Sequence, residues 1–203
     1  MPTSAAIILA AGLSSRMGRF KPLLPVGTRS MIERVVGWLR ESHVDFIVVV
    51  TGYQHMLLAQ HLVQADVCLV HNPHYTCTQM LDSLRLGLEA LPDQVDRVLV
   101  TPADLPLVRP STVCTLLSTP GIFVRPCYQG QHGHPVGLDA CLLEDIRLYT
   151  GPGGLRDAVY HLGIPCTDVP VNDPGVCLSP NTPSEYESLL KYFHTIEREM
   201  EHG

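Results

Sequence analysis

The sequence predicts an α/β fold, a mostly parallel central sheet flanked by helices, and three observations predict it. Short apolar runs rich in β-branched residues recur along the chain, as strands buried on both faces do. Between them lie segments whose apolar residues repeat at helical spacing. The two patterns alternate, which is the order that builds a sheet covered by helices. The chain has 203 residues, a length that fits one domain over 1–203 and can bury a core without disulfides.

Residues 5–10 open the series as a buried strand that breaks at Gly12. Residues 31–40 put Ile32, Val35, Val36 and Leu39 on one helical face, with Trp38 at its border and assigned to packing. Residues 46–50 form a continuous apolar run and read as a strand, 54–64 as a helix and 67–70 as a third strand. Residues 80–91 carry Leu81, Leu84, Leu88 and Leu91 at helical spacing. Residues 95–100 are the strand that delivers the segment PADLPLV, followed by a helix over 109–118. The second half is more broken, with strands over 122–127 and 136–138 and helices over 142–147, 155–162 and 184–199. There is no repeat and no low-complexity linker.

Composition narrows the function. A net charge of -6 argues against a nucleic-acid surface, whose affinity rests on clustered cations, and favours small, locally neutralised anions as ligands. The seven cysteines are an odd number without a CxxC pair, which suits reduced thiols of the cytosol, most of them small core residues. No apolar stretch approaches the ~20 residues that span a bilayer, so a cytoplasmic protein without a membrane partner is expected.

The chemistry concentrates at the end of the first strand. The segment LAAGLSSRMGRFK leaves the sheet through Gly12, Ser14, Ser15 and Gly18, with Arg16 and Lys21 set among them and Arg19 beside them. Backbone N–H groups of such a turn, joined by cations, make a concavity suited to phosphate oxygens, here a triphosphate. A P-loop is excluded because Arg19 stands where its lysine is required, and a dinucleotide fingerprint because position 14 is Ser. The nucleophile elbow GxSxG misses its last glycine, so Ser14 and Ser15 read as hydrogen-bonding loop residues. No histidine pair has zinc spacing with a carboxylate partner.

Asp104 lies just past the carboxyl end of the 95–100 strand, the edge where open α/β sheets bind ligands. A carboxylate beside a triphosphate is repelled unless a cation lies between them. Mg²⁺, which takes few protein ligands and several phosphate oxygens or waters, fits that position.

The loop pattern, LAAG followed by S-x-R-M-G and then Lys21, resembles the signature of the Rossmann-like nucleotidyltransferases. Further matches run in the same order. Asn72-Pro73 with Asp82-Ser83-Leu84 resembles the nucleotide-contacting element, with Gln79 where the family has glycine. Gly133-His134-Pro135 resembles an acceptor-side element, and Gly153-Gly154-Leu155-Arg156 resembles an acceptor-pocket loop. The stretch ahead of Tyr186 resembles one that carries a metal-supporting Asp before Thr-Pro, a position held here by Asn181. Asn181 is therefore open to two roles, a second metal ligand beside Asp104 and a cap on the final helix.

The whole, from Ile7 to Tyr186, is most similar to the molybdenum cofactor nucleotidyltransferases. That resemblance implies a nucleotide site at Leu9, Ala10, Ala11, Gly12, Ser14, Ser15, Arg16, Gly18, Lys21 and Ser83, and an acceptor site at His134 and Arg156. It implies catalysis by Arg16, Lys21 and Asp104 with Mg²⁺, and transfer of CMP from CTP to molybdopterin for use by a molybdoenzyme or its chaperone. The LAAG version favours CTP, since Ala11 crowds a purine more than a pyrimidine. Cytidylyl or uridylyl transfer to a sugar or polyol phosphate, and nucleotide binding without turnover, are the alternatives.

Overall fold

The computed structural model describes residues 3–201. The chain runs through β1 (Ser4–Ala10), a short hairpin of β2 (Pro25–Val26) and β3 (Arg29–Ser30), α1 (Met31–Glu41), β4 (Phe46–Thr51), α2 (His55–His61) and β5 (Cys68–His71). It continues through α3 (Met80–Glu89), β6 (Arg97–Pro102), α4 (Pro110–Ser118), β7 (Phe123–Tyr128), β8 (Gln131–His132) and β9 (Val136–Asp139). The last elements are α5 (Leu143–Leu148), α6 (Leu155–His161), β10 (Cys166–Pro170) and α7 (Pro183–Glu201).

The central sheet has the order β10-β7-β9-β6-β1-β4-β5, with β8 paired to β7. β1 lies parallel to both β4 and β6, β4 to β5, and β10 to β7, while β9 runs antiparallel to its neighbours. Side chains alternate across β1, so Ala6 and Ile8 enter one core and Ala5 and Ile7 the other. The first core packs α1 and α4 through Ile32, Leu39, Val113 and Leu116; the second packs α3, α5 and α6 through Leu84, Leu88, Ile146 and Ala158. Gly87 lets α3 close onto the sheet, because a Cβ there would lie 2.7 Å from the Ile7 side chain. The α1 start is fixed by a capping box, in which Ser30 N–H donates to the Glu33 carboxylate at 2.7 Å and Glu33 N–H to Ser30 Oγ at 3.3 Å. Trp38 is buried and donates its indole N–H to Leu105 O at 3.1 Å.

A third, smaller core gathers Met17, Leu24, Val26, Met31, Leu107, Leu189 and Phe193. It ties the loop after β1 and the segment after Asp104 to α7. The C-terminal helix thus braces the phosphate-suited loop from behind.

Some expectations give way. The cysteines are free but none is a core residue: Cys77, Cys114, Cys141 and Cys166 are exposed and the other three half-buried. Cys114 follows inward-facing Val113 on α4, and Cys166 stands on an edge strand. The helix over 54–64 ends at His61, where residues 62–64 form a turn instead. β10 carries no sequence signal, because CTDVP on a sheet edge buries only Val169. Among the described residues, no helix is long and apolar enough to cross a membrane.

Candidate active site

Leu9 of β1 pairs with Pro102 of β6, so both strands release their following segments at one edge of the sheet. Ala103 N–H donates to Leu9 O at 3.1 Å and draws the two exits together. The chain has moved outward from β1 to β4 and β5, and returns on the other side of β1 at β6. Such a reversal of strand order opens a crevice at the carboxyl ends.

The loop after β1 owes its shape to two left-handed residues, Ser14 at φ 54 and Gly18 at φ 67, on either side of a tight turn over Ser15–Met17. Gly18 shapes that turn and is not on the cleft wall; its N–H bonds to Ser15 O at 3.4 Å. Buried Met17 anchors the turn to the third core. Ser14 Oγ accepts from Lys21 N–H at 3.1 Å, which fixes where the lysine leaves the backbone. Ser14 and Ser15 both face the cleft.

Lys21 and Asp104 meet across this crevice in an ion pair, Nζ to Oδ2, with side chains only 16% and 13% exposed. Lys21 Nζ also donates to Pro180 O at 3.2 Å and to Asn181 Oδ1 at 3.3 Å. Arg16 Nη2 reaches the same Asn181 oxygen at 3.4 Å. Asn181 is free to do this because the cap of α7 belongs to Thr182: Glu185 N–H donates to Thr182 Oγ1, and the Glu185 carboxylate accepts from the N–H groups of Thr182 and Asn181. The capping role open to Asn181 in the sequence is thus filled by its neighbour.

The second carboxylate oxygen of Asp104, Oδ1, is buried and has no hydrogen-bond partner. A buried acceptor of that kind is costly unless something else satisfies it. With Asn181 Oδ1 on the same Lys21 ammonium, the donor set is all oxygen, which fits a hard divalent cation completed by phosphate oxygens. Among the described residues, no group of three or more His, Cys, Asp or Glu side chains could hold a metal by itself. A cation here therefore depends on Asp104, Asn181 and the ligand.

The cleft over this cluster has a volume of about 700 Å³. Leu9, Ala10, Ala11 and Gly12 form its floor beside Arg16 and Lys21. One wall is built by Tyr75, Thr78, Gln79, Met80 and Ser83. Ser83 is buried and accepts from the Asn72 carboxamide at 3.0 Å, which also donates to Thr78 Oγ1 at 2.9 Å. Gln79, found where the resembled family has glycine, starts α3 and donates its N–H to Asp82 at 2.8 Å.

The opposite wall carries Gln131, His132, His134, Val176, Cys177 and Ser179. His134 N–H donates to Val176 O at 2.9 Å, and Gly133 permits that approach, since a Cβ on it would lie 2.4 Å from the same oxygen. Solvent reaches the His134 ring from the cleft, yet the protein crowded around it disfavours the imidazolium and lowers its pKa, with the Asp104 charge pulling the other way. The surroundings thus favour the neutral ring.

Not every expected residue converges. Arg156 is 85% exposed on α6, lies 3.8 Å from Asp157 and takes no part in the cleft wall. His132 does have a carboxylate partner, contrary to the reading of the sequence: Asp168 on β10 lies 3.2 Å from Nε2. The strand that supplies it was the one without a signal. Pro180 O was also missed, and a main-chain acceptor leaves no trace in side-chain chemistry. Tyr75 reaches the cleft from a turn, Ser179 from an irregular segment and Gln131 from the two-residue β8, none of which periodicity marks.

The model of the MobA-like NTP transferase domain matches residues 6–165, which span both the loop after β1 and Asp104. The chain belongs to that family. Among its relatives, the molybdenum cofactor cytidylyltransferase of Escherichia coli is 29% identical over 148 residues, covering 70% of this chain and 73% of that protein. The bifunctional protein GlmU of Picosynechococcus is 33% identical over 123 residues, 57% of this chain but only 26% of the relative, so the match spans about a quarter of that protein's length. A solved nucleotidyl transferase from Methanothermobacter superposes with a TM-score of 0.83 at 25% identity, covering 96% of this chain and 99% of the other. The family match ends ahead of Asn181, which joins the cluster through the fold alone.

Proposed function

We propose that residues 1–203 form one nucleotidyltransferase domain that moves CMP from CTP onto the terminal phosphate of molybdopterin and releases pyrophosphate. The observation that carries this reading is the meeting of Arg16, Lys21, Asp104 and Asn181 at the rim between β1 and β6. The molybdenum cofactor cytidylyltransferase of Escherichia coli, a relative over most of both chains, supports the choice of base and acceptor.

An acceptor phosphate oxygen attacks the α-phosphorus in line with the leaving pyrophosphate; the new P–O bond forms as the bond to the β-phosphate oxygen breaks. A phosphate monoester is largely ionised near neutral pH, so no strong general base is needed. Catalysis then rests on positioning and charge neutralisation. Arg16 and the amides around Ser14 and Ser15 hold the β- and γ-phosphates, Lys21 neutralises charge growing at the α-phosphate, and Ser83 lies on the nucleotide side. Asp104 and Asn181 are the residues to hold Mg²⁺, which when bound neutralises phosphate charge. Neutral His134 positions the acceptor by hydrogen bonding. The product passes in the cytoplasm to a molybdoenzyme or its chaperone.

Pyrophosphate release measured with each of the four nucleoside triphosphates, Mg²⁺ and a panel of phosphorylated acceptors tests this. CTP with molybdopterin is expected to be fastest. Faster turnover with a sugar or polyol phosphate would overturn the acceptor, a reading favoured by one observation: Arg156 takes no part in the cleft wall, so among the described residues Arg16 and Lys21 are the lysine and arginine side chains lining the cleft, and no further one is added for a large anionic acceptor. Tight CTP binding with no pyrophosphate from any acceptor would overturn the enzyme.

A further inference from the structure

We propose that Lys21 is a tethered cation that fills the Asp104–Asn181 oxygen cage in the nucleotide-free chain, so that a divalent cation takes this cage only together with a triphosphate. The inference rests on the reading of Asp104 and Asn181 as cation ligands given above.

The geometry around Nζ is that of a small cation in an oxygen cage. A lysine ammonium has three N–H donors and no acceptor. Here three oxygens of three kinds face it: the Asp104 carboxylate, Asn181 Oδ1 at 3.3 Å and Pro180 O at 3.2 Å. The two side-chain oxygens are those a hard metal ion would use. Arg16 shares the Asn181 oxygen, so two side-chain cations and a single carboxylate meet in this cluster. A divalent ion arriving alone enters a cage that is already net positive and must also displace Lys21 from a mostly buried partner. Arriving with a triphosphate, it brings more negative charge than its own positive charge, and the phosphates give Lys21 somewhere to go.

The backbone around the lysine favours such an exchange. Lys21 N–H is pinned to Ser14 Oγ, so the side chain can swing while its base stays fixed beside the loop. The buried, unpartnered Asp104 Oδ1 shows that the ammonium satisfies only half of the carboxylate. Metal and nucleotide are thereby coupled through one side chain, and coupling of this sort is reciprocal: each ligand tightens the other by the same factor.

Mn²⁺ serves as the probe, with binding followed by electron paramagnetic resonance on the full chain and no nucleotide present. Saturable binding is expected to be at least about tenfold tighter in Lys21→Met than in the wild type, a change at the low end of ordinary coupling. It is expected to disappear again in Lys21→Met with Asp104→Asn. Equal affinity in wild type and Lys21→Met, or binding that survives Asp104→Asn, would overturn the inference. Because Lys21→Met leaves a buried carboxylate unpaired and could fail to fold, the wild type provides a second measurement. Its melting temperature is expected to rise more with Mn²⁺ and CTP together than the two separate rises combined. A rise with Mn²⁺ alone as large as with both would overturn it too. No turnover is involved: a chain that releases pyrophosphate yet binds Mn²⁺ freely keeps its function and loses this inference, and one that shows the coupling without pyrophosphate does the reverse.

Discussion

Two aspartates sit at the centre of charged clusters on this molecule, and they differ in what they leave unsatisfied. Asp168 on the β10 edge takes the Arg125 guanidinium at 2.5 Å and His132 at 3.2 Å, with its side chain 46% exposed. Both of its oxygens are engaged and water screens what remains. Asp104 takes Lys21 on one oxygen, is 13% exposed, and keeps its other oxygen buried without a partner. The first arrangement is complete as it stands, while the second is poised for something to arrive. The elements contributing to each differ as well. Asp168 is served by adjacent strands, whereas Asp104 is met by Lys21 of the loop after β1, whose ammonium also binds the entry to α7, segments distant in sequence.

The largest expected effect is therefore at Asp104. Asp104→Ala is expected to lower kcat for pyrophosphate release by at least about a thousandfold, the upper end for loss of one preorganised electrostatic group. Next comes Lys21→Ala, expected to cost about a hundredfold in kcat while the KM for CTP moves by only a few-fold, since charge at the α-phosphate grows in the transition state. Rates within threefold of the wild type in either variant, measured under saturating CTP, would erase the distinction between the two aspartates.

Why one cluster was legible in the sequence and the other was not follows from how each is built. Arg16, Lys21 and Asp104 stand next to strand ends, and strands that are continuous apolar runs announce their own ends. Asn181 was legible as a residue but not as a direction: whether its side chain turns inward depends on Thr182 and Glu185 taking the cap, a choice made between neighbours with similar capping ability. Arg156 misled because a Gly-rich loop before a helix suggests a pocket rim, while only tertiary packing decides whether α6 reaches it. The Asp168 cluster was invisible because β10 alternates poorly and carries proline at its end.

A smaller effect is expected on the acceptor side. His134→Ala should raise the acceptor KM by about five- to tenfold, the worth of one hydrogen bond, with the KM for CTP unchanged. Crowding by the protein lowers the His134 pKa from 6.5, so the neutral ring persists below the ordinary imidazole value. The contribution of His134 to acceptor binding should accordingly hold steady from pH 8 down to about 6.5 and strengthen only below it, where an imidazolium donates a charge-assisted hydrogen bond to phosphate. An acidic limb that is unchanged in His134→Ala would remove this ring from the acceptor side.

Asp168→Asn is the smallest effect and the sharpest control. The Arg125 hydrogen bond holds the Asp168 carboxyl below its ordinary value of 3.8 against the opposing effect of burial, with a smaller pull from His132. A carboxyl with a depressed folded-state pKa stabilises the fold above its unfolded pKa, and the contribution fades as pH falls through the folded one. Because the pair is half exposed, that contribution should be no more than about 1 kcal/mol. Urea unfolding of Asp168→Asn should therefore show a deficit of that size at pH 7 and a vanishing one near pH 2. Pyrophosphate release at pH 7 should stay within twofold of the wild type, because a satisfied edge pair has no role in holding phosphate. If the variant instead lost activity in parallel with Asp104→Ala, the edge cluster would have to act on the cleft through His132, which lines it, and the two aspartates would belong to one electrostatic unit.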